Sequence, residues 1–372
     1  MNKRIFFGHG TVGLMGKEAH AAALTFLNEY FMIGPPEVLS RYEPYPNMLR
    51  DEVAHMLHCD SREITYIKNT TEGINIATEA LPVQAGDEVL VLGNEYPAGI
   101  LPWLKKRKDG IDVQIISGID NAAAFEQLML RISAKTRAIS ISWAQYYDGY
   151  MSDLDRLSAV CRKFGIFLVV DAVQAVGIRE LSLQKTPVDI LVCGGQKYLG
   201  SIMGIGFMYV NTKIMRSLRD TKVGIRSMKQ FHEDSYELKD GAERFEDGTQ
   251  NLLGIVTLHA AIKQINAIGV PVIEEKSLAL LDTFKMILRK HGIPFIDHKR
   301  QSNIISLQID HAEEFCKHVR ESNIIIKPIK DIARISFAHT STVADFQVLV
   351  TQTREWLKRH PNRRELEYRG DA

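Results

Sequence analysis

The chain has 372 residues, and 46 Lys and Arg residues against 45 Asp and Glu residues give a formal net charge of +1. That balance argues against a dedicated nucleic-acid binder, which needs surplus positive charge, and a composition of 45% hydrophobic and 24% charged residues excludes a disordered chain. Because the sequence shows neither a secretory signal nor the roughly 18–20 apolar residues of a membrane span, we expect a cytoplasmic protein with no membrane partner.

Strand-like and helix-like segments alternate between residues 63 and 210. The run IFLVVD is apolar almost throughout, which is typical of a strand covered on both faces. The alternation predicts a three-layer α/β/α domain with a mostly parallel sheet. A helix over 152–165 is expected to begin with Ser152 as N-cap and to end with Gly165 as C-cap. The other predicted strands are 63–69, 87–93, 112–117, 138–143, 189–195 and 206–210, and the other helices are 72–81, 121–132 and one that ends at Gly110.

The pattern changes near residue 250. Two long helical stretches, 255–267 and 272–290, precede short strands, a helix AEEFCKHVRES and a final helix that begins near Thr342. This order predicts a smaller α+β domain. We therefore divide the chain into an N-terminal segment packing near the active site (1–20), a large cofactor-binding domain (21–254) and a small C-terminal domain (255–372).

Two candidate site features follow predicted strands, at the sheet edge where open α/β folds bind ligands. In Asn69-Thr70-Thr71-Glu72-Gly73 a strand gives way to a helix, so two hydroxyls and unpaired backbone N–H groups suit a phosphate; an ordinary threonine N-cap is the alternative. Asp171 ends a buried strand, where a carboxylate is costly without a cationic partner. An N-cap aspartate is the alternative there.

Two further features are basic. Lys197 lies in CGGQKYLG after another apolar strand, and a partly desolvated lysine has a lowered pKa and can act as an amine nucleophile. Arg334 begins a late strand, where its planar fork could clamp a carboxylate. The alternatives are a surface loop lysine and a surface salt bridge.

Taken together, these residues fit pyridoxal 5'-phosphate (PLP), which needs an anion cradle, a carboxylate at the pyridine nitrogen and a lysine for its aldehyde. The sequence resembles the class V aminotransferase group of fold-type I PLP enzymes, which includes cysteine desulfurases, isopenicillin-N-epimerase-like proteins and kynureninase-like lyases. The resemblance runs from about Gly8 to the final helix. Its motifs are NTTEGIN (69–75), NEYPAGILPW (94–103), DAVQAVG (171–177), GGQKYLGSIMGIGFMYV (194–210), RFEDGTQN (244–251) and ARISFAHTS (333–341).

The resemblance implies the roles of five residues around the cofactor. Lys197 forms the Schiff base and shuttles the Cα proton. Asp171 pairs with the pyridinium nitrogen, and Gln174 hydrogen-bonds the ring hydroxyl. Thr70 and Thr71 contact the phosphate.

It also implies roles for other side chains. Tyr96 stacks on the ring, where many relatives carry His, and an aromatic face suits that position. Gln196 stands where relatives often have a phosphate-contacting His. Gln145 is a candidate for the oxygen side of the cofactor, with Tyr146 as its rival.

Three residues extend the implied site beyond the cofactor. Arg334 resembles the clamp for the substrate α-carboxylate, and His9 is a candidate for the same substrate side, with a local turn residue as the alternative. Thr249 resembles a residue that reaches the phosphate from the other subunit. The resemblance therefore implies a homodimer with a shared active site.

Two of the departures from the family pattern bear on the phosphate cradle and on sulfur chemistry. Gly194 replaces a serine that binds phosphate in many relatives, so the cradle is expected to be remodelled. The loop 322–333, where desulfurases carry their persulfide-forming cysteine, has no cysteine, and Cys316 lies earlier on a helical pattern typical of a buried apolar position. A sulfur-relay desulfurase is therefore disfavoured.

The sequence thus predicts a PLP-dependent enzyme that acts on an amino acid through an external aldimine and a Cα carbanion, and it predicts no metal. Transamination is favoured by a small margin. A β-lyase of the C–S type or an epimerase is the alternative, and a non-catalytic binding module is disfavoured because Asp171 and Lys197 are both present.

Overall fold

A computed structural model describes residues 4–361 of the chain. Its strands are β1 (Ile5–Phe6), β2 (Ile64–Ile67), β3 (Glu88–Leu92), β4 (Asp112–Ile116), β5 (Thr136–Ser142), β6 (Phe167–Asp171), β7 (Ile190–Gly194), β8 (Gly206–Val210), β9 (Met228–Phe231), β10 (Tyr236–Leu238), β11 (Phe295–Ile296), β12 (Ile304–Gln308), β13 (Ile324–Ile325), β14 (Lys327–Ile329) and β15 (Ile332–Ser336). Its helices are α1 (Lys17–Ile33), α2 (Pro35–Tyr42), α3 (Tyr45–Leu57), α4 (Thr70–Ala80), α5 (Pro97–Lys106), α6 (Asn121–Arg131), α7 (Leu154–Phe164), α8 (Leu252–Ile268), α9 (Val270–Lys290), α10 (Ala312–Glu321) and α11 (Val343–Arg359).

The large sheet has seven strands in the order β2-β8-β7-β6-β5-β3-β4. Strand β8 runs antiparallel to both neighbours, and the other neighbouring pairs are parallel. Alternate side chains of β6 enter different cores: Leu168 and Val170 pack on one face, and Val169 packs on the other. Both faces are therefore covered, and the predicted α/β fold with a mostly parallel sheet is confirmed.

The predicted helix over 152–165 forms, but its first turn differs from the prediction. Asp153 is the N-cap, and its carboxylate accepts a hydrogen bond from the Arg156 N–H at 3.2 Å. The hydroxyl of Ser152 instead donates to the Ser142 carbonyl at 3.0 Å, because it lies against the end of β5. Gly165 adopts the left-handed conformation as C-cap, as predicted.

A second sheet, β11-β12-β15-β14, is antiparallel and packs with α9, α10 and α11 around a separate core that contains Phe284 and Phe346. The N-terminal strand β1 pairs with β13 beside this core. Helix α8 packs in the core of the large domain through Leu258 and Ile262. The predicted division at residue 255 stays a prediction.

In the described part of the chain, no single helix is long and apolar enough to cross a membrane. Taken together, α8 and α9 are long and apolar enough for a broken membrane span, by length and composition only, and a 78° bend separates them. Four apolar side chains of α8, those of Ile255, Leu258, Ile262 and Ile265, are buried in the core of the large domain.

Candidate active site

A cavity of about 590 Å³ opens at the carboxyl ends of β5, β6 and β7. It is the place where parallel strands of an open sheet present ligand-binding side chains. The predicted site residues that line it are Thr70, Thr71, Tyr96, Asp171, Gln174, Gln196, Lys197 and Arg334.

One wall of the cavity is the N-terminus of α4. Asn69 caps this helix, and its side chain accepts a hydrogen bond from the Glu72 N–H at 2.9 Å. Thr70 and Thr71 therefore present their N–H groups and hydroxyls near the positive end of the helix dipole. Gly73 allows the helix to approach β7 closely, because a Cβ there would lie 2.6 Å from a methyl carbon of Val192. This arrangement suits an anionic group.

The opposite wall carries the acid and the amine. Asp171 ends β6 and is buried, and burial raises its pKa while Lys197 counteracts that shift. Burial lowers the pKa of Lys197 to about 8, although the Asp171 carboxylate opposes the shift. A lysine with this pKa has a substantial neutral fraction near physiological pH, so its amine can act as a nucleophile or a base.

Two glutamines supply polar atoms that have no partner within the described chain. The Gln174 amide donates to the Gly10 carbonyl at 2.9 Å, while its Oε1 is buried and unpartnered. The Oε1 of Gln196 is buried and unpartnered as well. A Cβ at Gly194 would lie 2.5 Å from this oxygen, so the glycine makes room for the Gln196 amide. Gly194 and Gln196 therefore shape this part of the cradle together.

These groups fit PLP. The α4 N-terminus with Thr70 and Thr71 would hold the phosphate, Asp171 would face the pyridine nitrogen, and the free Gln174 oxygen matches a ring hydroxyl. Bound there, the cofactor supplies an electron sink for charge that develops on a substrate carbon.

Two aromatic rings lie at the mouth of the cavity. Tyr96 is 54% exposed, and its ring packs edge-on against that of Tyr146 at a centroid distance of 5.3 Å. Both side chains line the cavity. Tyr96 is thus available to cover a flat ligand, as the resemblance implies, and Tyr146 adds a second aromatic wall.

An N-terminal strap, residues 8–16, crosses the cavity and ties Lys197 to Arg334. The Gly13 N–H donates to the Gln196 carbonyl at 2.7 Å, and a Cβ at Gly13 would collide with the Lys197 carbonyl oxygen at 2.1 Å. The Thr11 hydroxyl accepts a hydrogen bond from Nη2 of Arg334, whose Nη1 donates to the Tyr146 carbonyl at 2.8 Å. The strap therefore orients the arginine.

Arg334 is 3% exposed, and its Nε has no hydrogen-bond partner within the described chain. Burial lowers its pKa, and neighbouring tyrosines oppose the shift. A buried guanidinium with a free N–H needs an acceptor. A carboxylate bound side-on would provide one, since it can take the Nε hydrogen and the second Nη2 hydrogen together.

The structure does not bring three predicted residues into the cavity. The Gln145 amide is buried behind it and donates to Glu95 at 2.7 Å, so Tyr146 lines the wall instead. His9 faces away from the cavity, because its ring packs against Tyr198 and its Nδ1 lies 3.3 Å from the Ser336 carbonyl; burial lowers its pKa to about 4. Thr249 is exposed and does not line the cavity.

Glu95 is a buried residue that sequence reasoning missed. Its carboxyl accepts hydrogen bonds from the Ser142 N–H at 2.7 Å and from the Ser142 hydroxyl, in addition to that from Gln145. Burial raises its pKa to about 7 against these hydrogen bonds. It holds the end of β5, where Ser142 lines the cavity. The sequence held one indication of this role: Glu95 directly precedes Tyr96, in a segment that begins a helix.

Lys327, Pro328 and Ile329 also line the cavity and were not predicted to do so. They belong to β14, which pairs with β15 so that Lys327 lies opposite Arg334. This pairing depends on the register of two short strands, which no single-sequence pattern reveals.

Comparisons with known proteins identify the family of the chain. The family model described as Aminotransferase class-V matches residues 43–349. A probable cysteine desulfurase of Methanothermobacter thermautotrophicus is 29% identical over 237 residues, which cover 63% of this chain and 58% of that relative. An uncharacterized aminotransferase, YcbU, of Bacillus subtilis is 22% identical over 289 residues, 77% of each chain.

Among solved structures, the cystine C–S lyase C-DES is similar in fold. A complex with its reaction product cysteine persulfide has a TM-score of 0.88 at 20% identity and covers 95% of this chain and 98% of that one. A mutant of the same protein carries glycine covalently linked to its PLP cofactor.

Proposed function

The chain belongs to the class-V aminotransferase family and is a PLP-dependent enzyme, and from this premise we propose that it is a C–S lyase. The substrate would be an L-cysteine derivative whose sulfur already carries a further substituent. The reaction would be β-elimination, in which the Cα–H and Cβ–S bonds break and the sulfur leaves with its own substituent. The three-carbon remainder then takes up water and leaves as pyruvate and ammonia.

The position of the four cysteines carries this proposal. Relatives named as cysteine desulfurases favour chemistry at a C–S bond, and a sulfur relay requires a thiol that reaches the substrate. None of the chain's four cysteines lines the cavity. Burial raises the thiol pKa of Cys59, Cys161 and Cys316 to about 12, which leaves little thiolate. An elimination needs no protein thiol.

The cavity residues have separate tasks in this reaction. Arg334 would bind the substrate α-carboxylate and so fix the direction of the Cα–H bond. The neutral amine of Lys197 would accept the Cα proton and then supply a proton to the departing sulfur. Asp171 would hold the ring nitrogen in its protonated form. The strap packs at Gly13 against the backbone of Gln196 and Lys197 and so supports the position of the lysine.

Transamination, which the sequence favoured by a small margin, is the second candidate. The family carries that name, and the Bacillus subtilis relative is called an aminotransferase. Transamination differs from β-elimination in one requirement: a keto acid must bind as amino acceptor after the first half-reaction.

Products separate the two reactions. The PLP-loaded enzyme is incubated in D2O with L-cystine or S-ethyl-L-cysteine, with and without 2-oxoglutarate, and products are followed by NMR. We expect pyruvate, ammonia and a thiol or persulfide in equal amounts, independent of the keto acid. Enzyme in which Cys59 and Cys316 are replaced by Ala should keep this activity, while Lys197→Ala should lose it.

Other product patterns would overturn the lyase proposal. Glutamate formation that depends on 2-oxoglutarate would establish transamination. Deuterium exchange at Cα without C–S cleavage would indicate an epimerase. Loss of activity in the Cys59 and Cys316 variant, with its PLP retained, would restore a sulfur relay.

We also propose that the enzyme is a homodimer with a shared active site. An exposed apolar face on α1 and α2 supports this proposal, because Phe31 is 86% exposed and Met32 is 74% exposed. The position of Thr249 outside its own cavity supports it as well.

Light scattering tests the dimer. We expect a mass of twice 42.0 kDa, and a shift towards the monomer when Phe31 and Met32 are replaced by Glu. Leu130→Glu is the matched control, since Leu130 is 78% exposed on the unrelated helix α6. A native protein of 42.0 kDa at every concentration would refute the dimer.

A further inference from the structure

Two cations lie side by side on one wall of the cavity. Lys327 in β14 and Arg334 in β15 are direct partners in an antiparallel pair, and both side chains line the cavity. Directly opposed residues have Cβ atoms about 4.5–5.5 Å apart on one face of the sheet. A ligand group bound by Arg334 is therefore within a few bonds of a group bound by Lys327.

Their surroundings differ. Arg334 is buried and held by Thr11 and the Tyr146 carbonyl, so it offers one preoriented carboxylate site. Lys327 is exposed at the rim, and no ion pair joins it to another described residue. The only carboxylate among the residues that line the cavity is that of Asp171, on the cofactor side.

The charges in the cavity are therefore unbalanced on the substrate side. Lys197 and Asp171 serve the cofactor, and the substrate α-carboxylate would neutralise Arg334. No group in the cavity lining is then left to neutralise the positive charge of Lys327. A cation beside a binding site favours a ligand with a matching anionic group and disfavours a neutral one.

We propose that Lys327 binds a second, distal carboxylate of the substrate, so that the enzyme prefers dicarboxylic amino acids. The inference rests on the proposed function for the placement of the α-carboxylate at Arg334. It narrows the substrate class to cysteine derivatives whose sulfur substituent ends in a carboxylate. Tyr96 and Tyr146 would flank the chain that connects the two carboxylates.

Matched ligands test this proposal in the PLP-loaded enzyme. S-carboxymethyl-L-cysteine and S-carbamoylmethyl-L-cysteine differ only in a distal carboxylate or amide, and L-glutamate and L-glutamine form a second pair that cannot undergo sulfur elimination. Dissociation constants come from the change in cofactor absorption, and kcat/KM comes from pyruvate release. We expect the native enzyme to prefer each carboxylate about fivefold at low salt, and less at high salt.

Variants at Lys327 test whether this residue causes the preference for a distal carboxylate. Lys327→Met should abolish the preference in both pairs, and Lys327→Arg should keep it. Lys330→Met is the matched control, because Lys330 lies in the turn of the same hairpin with its Nζ 5.9 Å from the Tyr147 ring centroid and does not line the cavity. It should keep the native preference.

Two outcomes would overturn the inference: no preference in the native enzyme, or a preference unchanged in Lys327→Met. If the preference were unchanged and Lys327→Met retained PLP less well, Lys327 would be assigned to the cofactor phosphate. Failure of the proposed function looks different, since neither cysteine derivative would release pyruvate while the glutamate preference and its dependence on Lys327 persisted.

Discussion

Replacing Lys197 by Ala should lower the rate of product formation by about 10³-fold or more, because in the proposed reaction this one side chain would provide both the covalent attachment of the cofactor and the proton transfer at Cα. Its amine is the only lysine amine in the cavity besides Lys327 at the rim. Burial lowers its pKa to about 8, so the neutral form needed for both tasks is present near physiological pH. Activity is measured as pyruvate release under saturating PLP.

A covalent readout makes the Lys197 prediction independent of turnover. Borohydride reduction followed by peptide mass spectrometry should place the cofactor on Lys197 in the native enzyme and on no peptide of the variant. Lys197→Arg keeps the charge and should fail in the same way, and the exposed Lys108→Ala should behave as native. Cofactor recovered on a different lysine in the native enzyme would contradict the assignment.

The sequence predicts the large domain well because its signals are local. The strand IFLVVD is apolar on both faces and becomes β6, and glycine ends α7 as C-cap. Where two neighbouring residues can both cap a helix, as Ser152 and Asp153 can, the choice depends on contacts across the fold. The Ser152 hydroxyl is taken by the Ser142 carbonyl, so Asp153 caps α7.

The site residues that were predicted have local sequence signals, whereas those that were missed depend on contacts across the fold. Asp171 ends one buried strand and Lys197 lies three residues after the end of another, and these positions place them at the ligand-binding edge. Gln145 and Tyr146 are adjacent, and which one faces the cavity depends on Glu95, which binds the Gln145 amide from another strand-to-helix connection. Lys327 reaches the cavity only through its pairing with β15.

Replacing Arg334 by Ala should weaken binding of α-carboxylate substrates by about 10²- to 10³-fold, which corresponds to about 3–4 kcal/mol for truncation of a buried, charge-assisted pair. The guanidinium is buried, two of its N–H groups are held by the protein, and its Nε is left free for a ligand. The effect should appear in KM and in the ligand dissociation constant. Arg334→Lys should be intermediate, because it keeps the charge and loses the fork.

The control for Arg334 separates ligand binding from support of the strap. Thr11→Val removes the acceptor of Nη2 but keeps the guanidinium and its hydrogen bond to the Tyr146 carbonyl, so it should weaken substrate binding much less than Arg334→Ala. The native enzyme should bind an amino acid more tightly than the matching amine that lacks the carboxylate, and this difference should disappear in Arg334→Ala and persist in Thr11→Val. If Arg334→Ala weakened the binding of the amino acid and of the amine equally, the arginine would only support the strap. The substrate carboxylate would then have to bind elsewhere in the cavity.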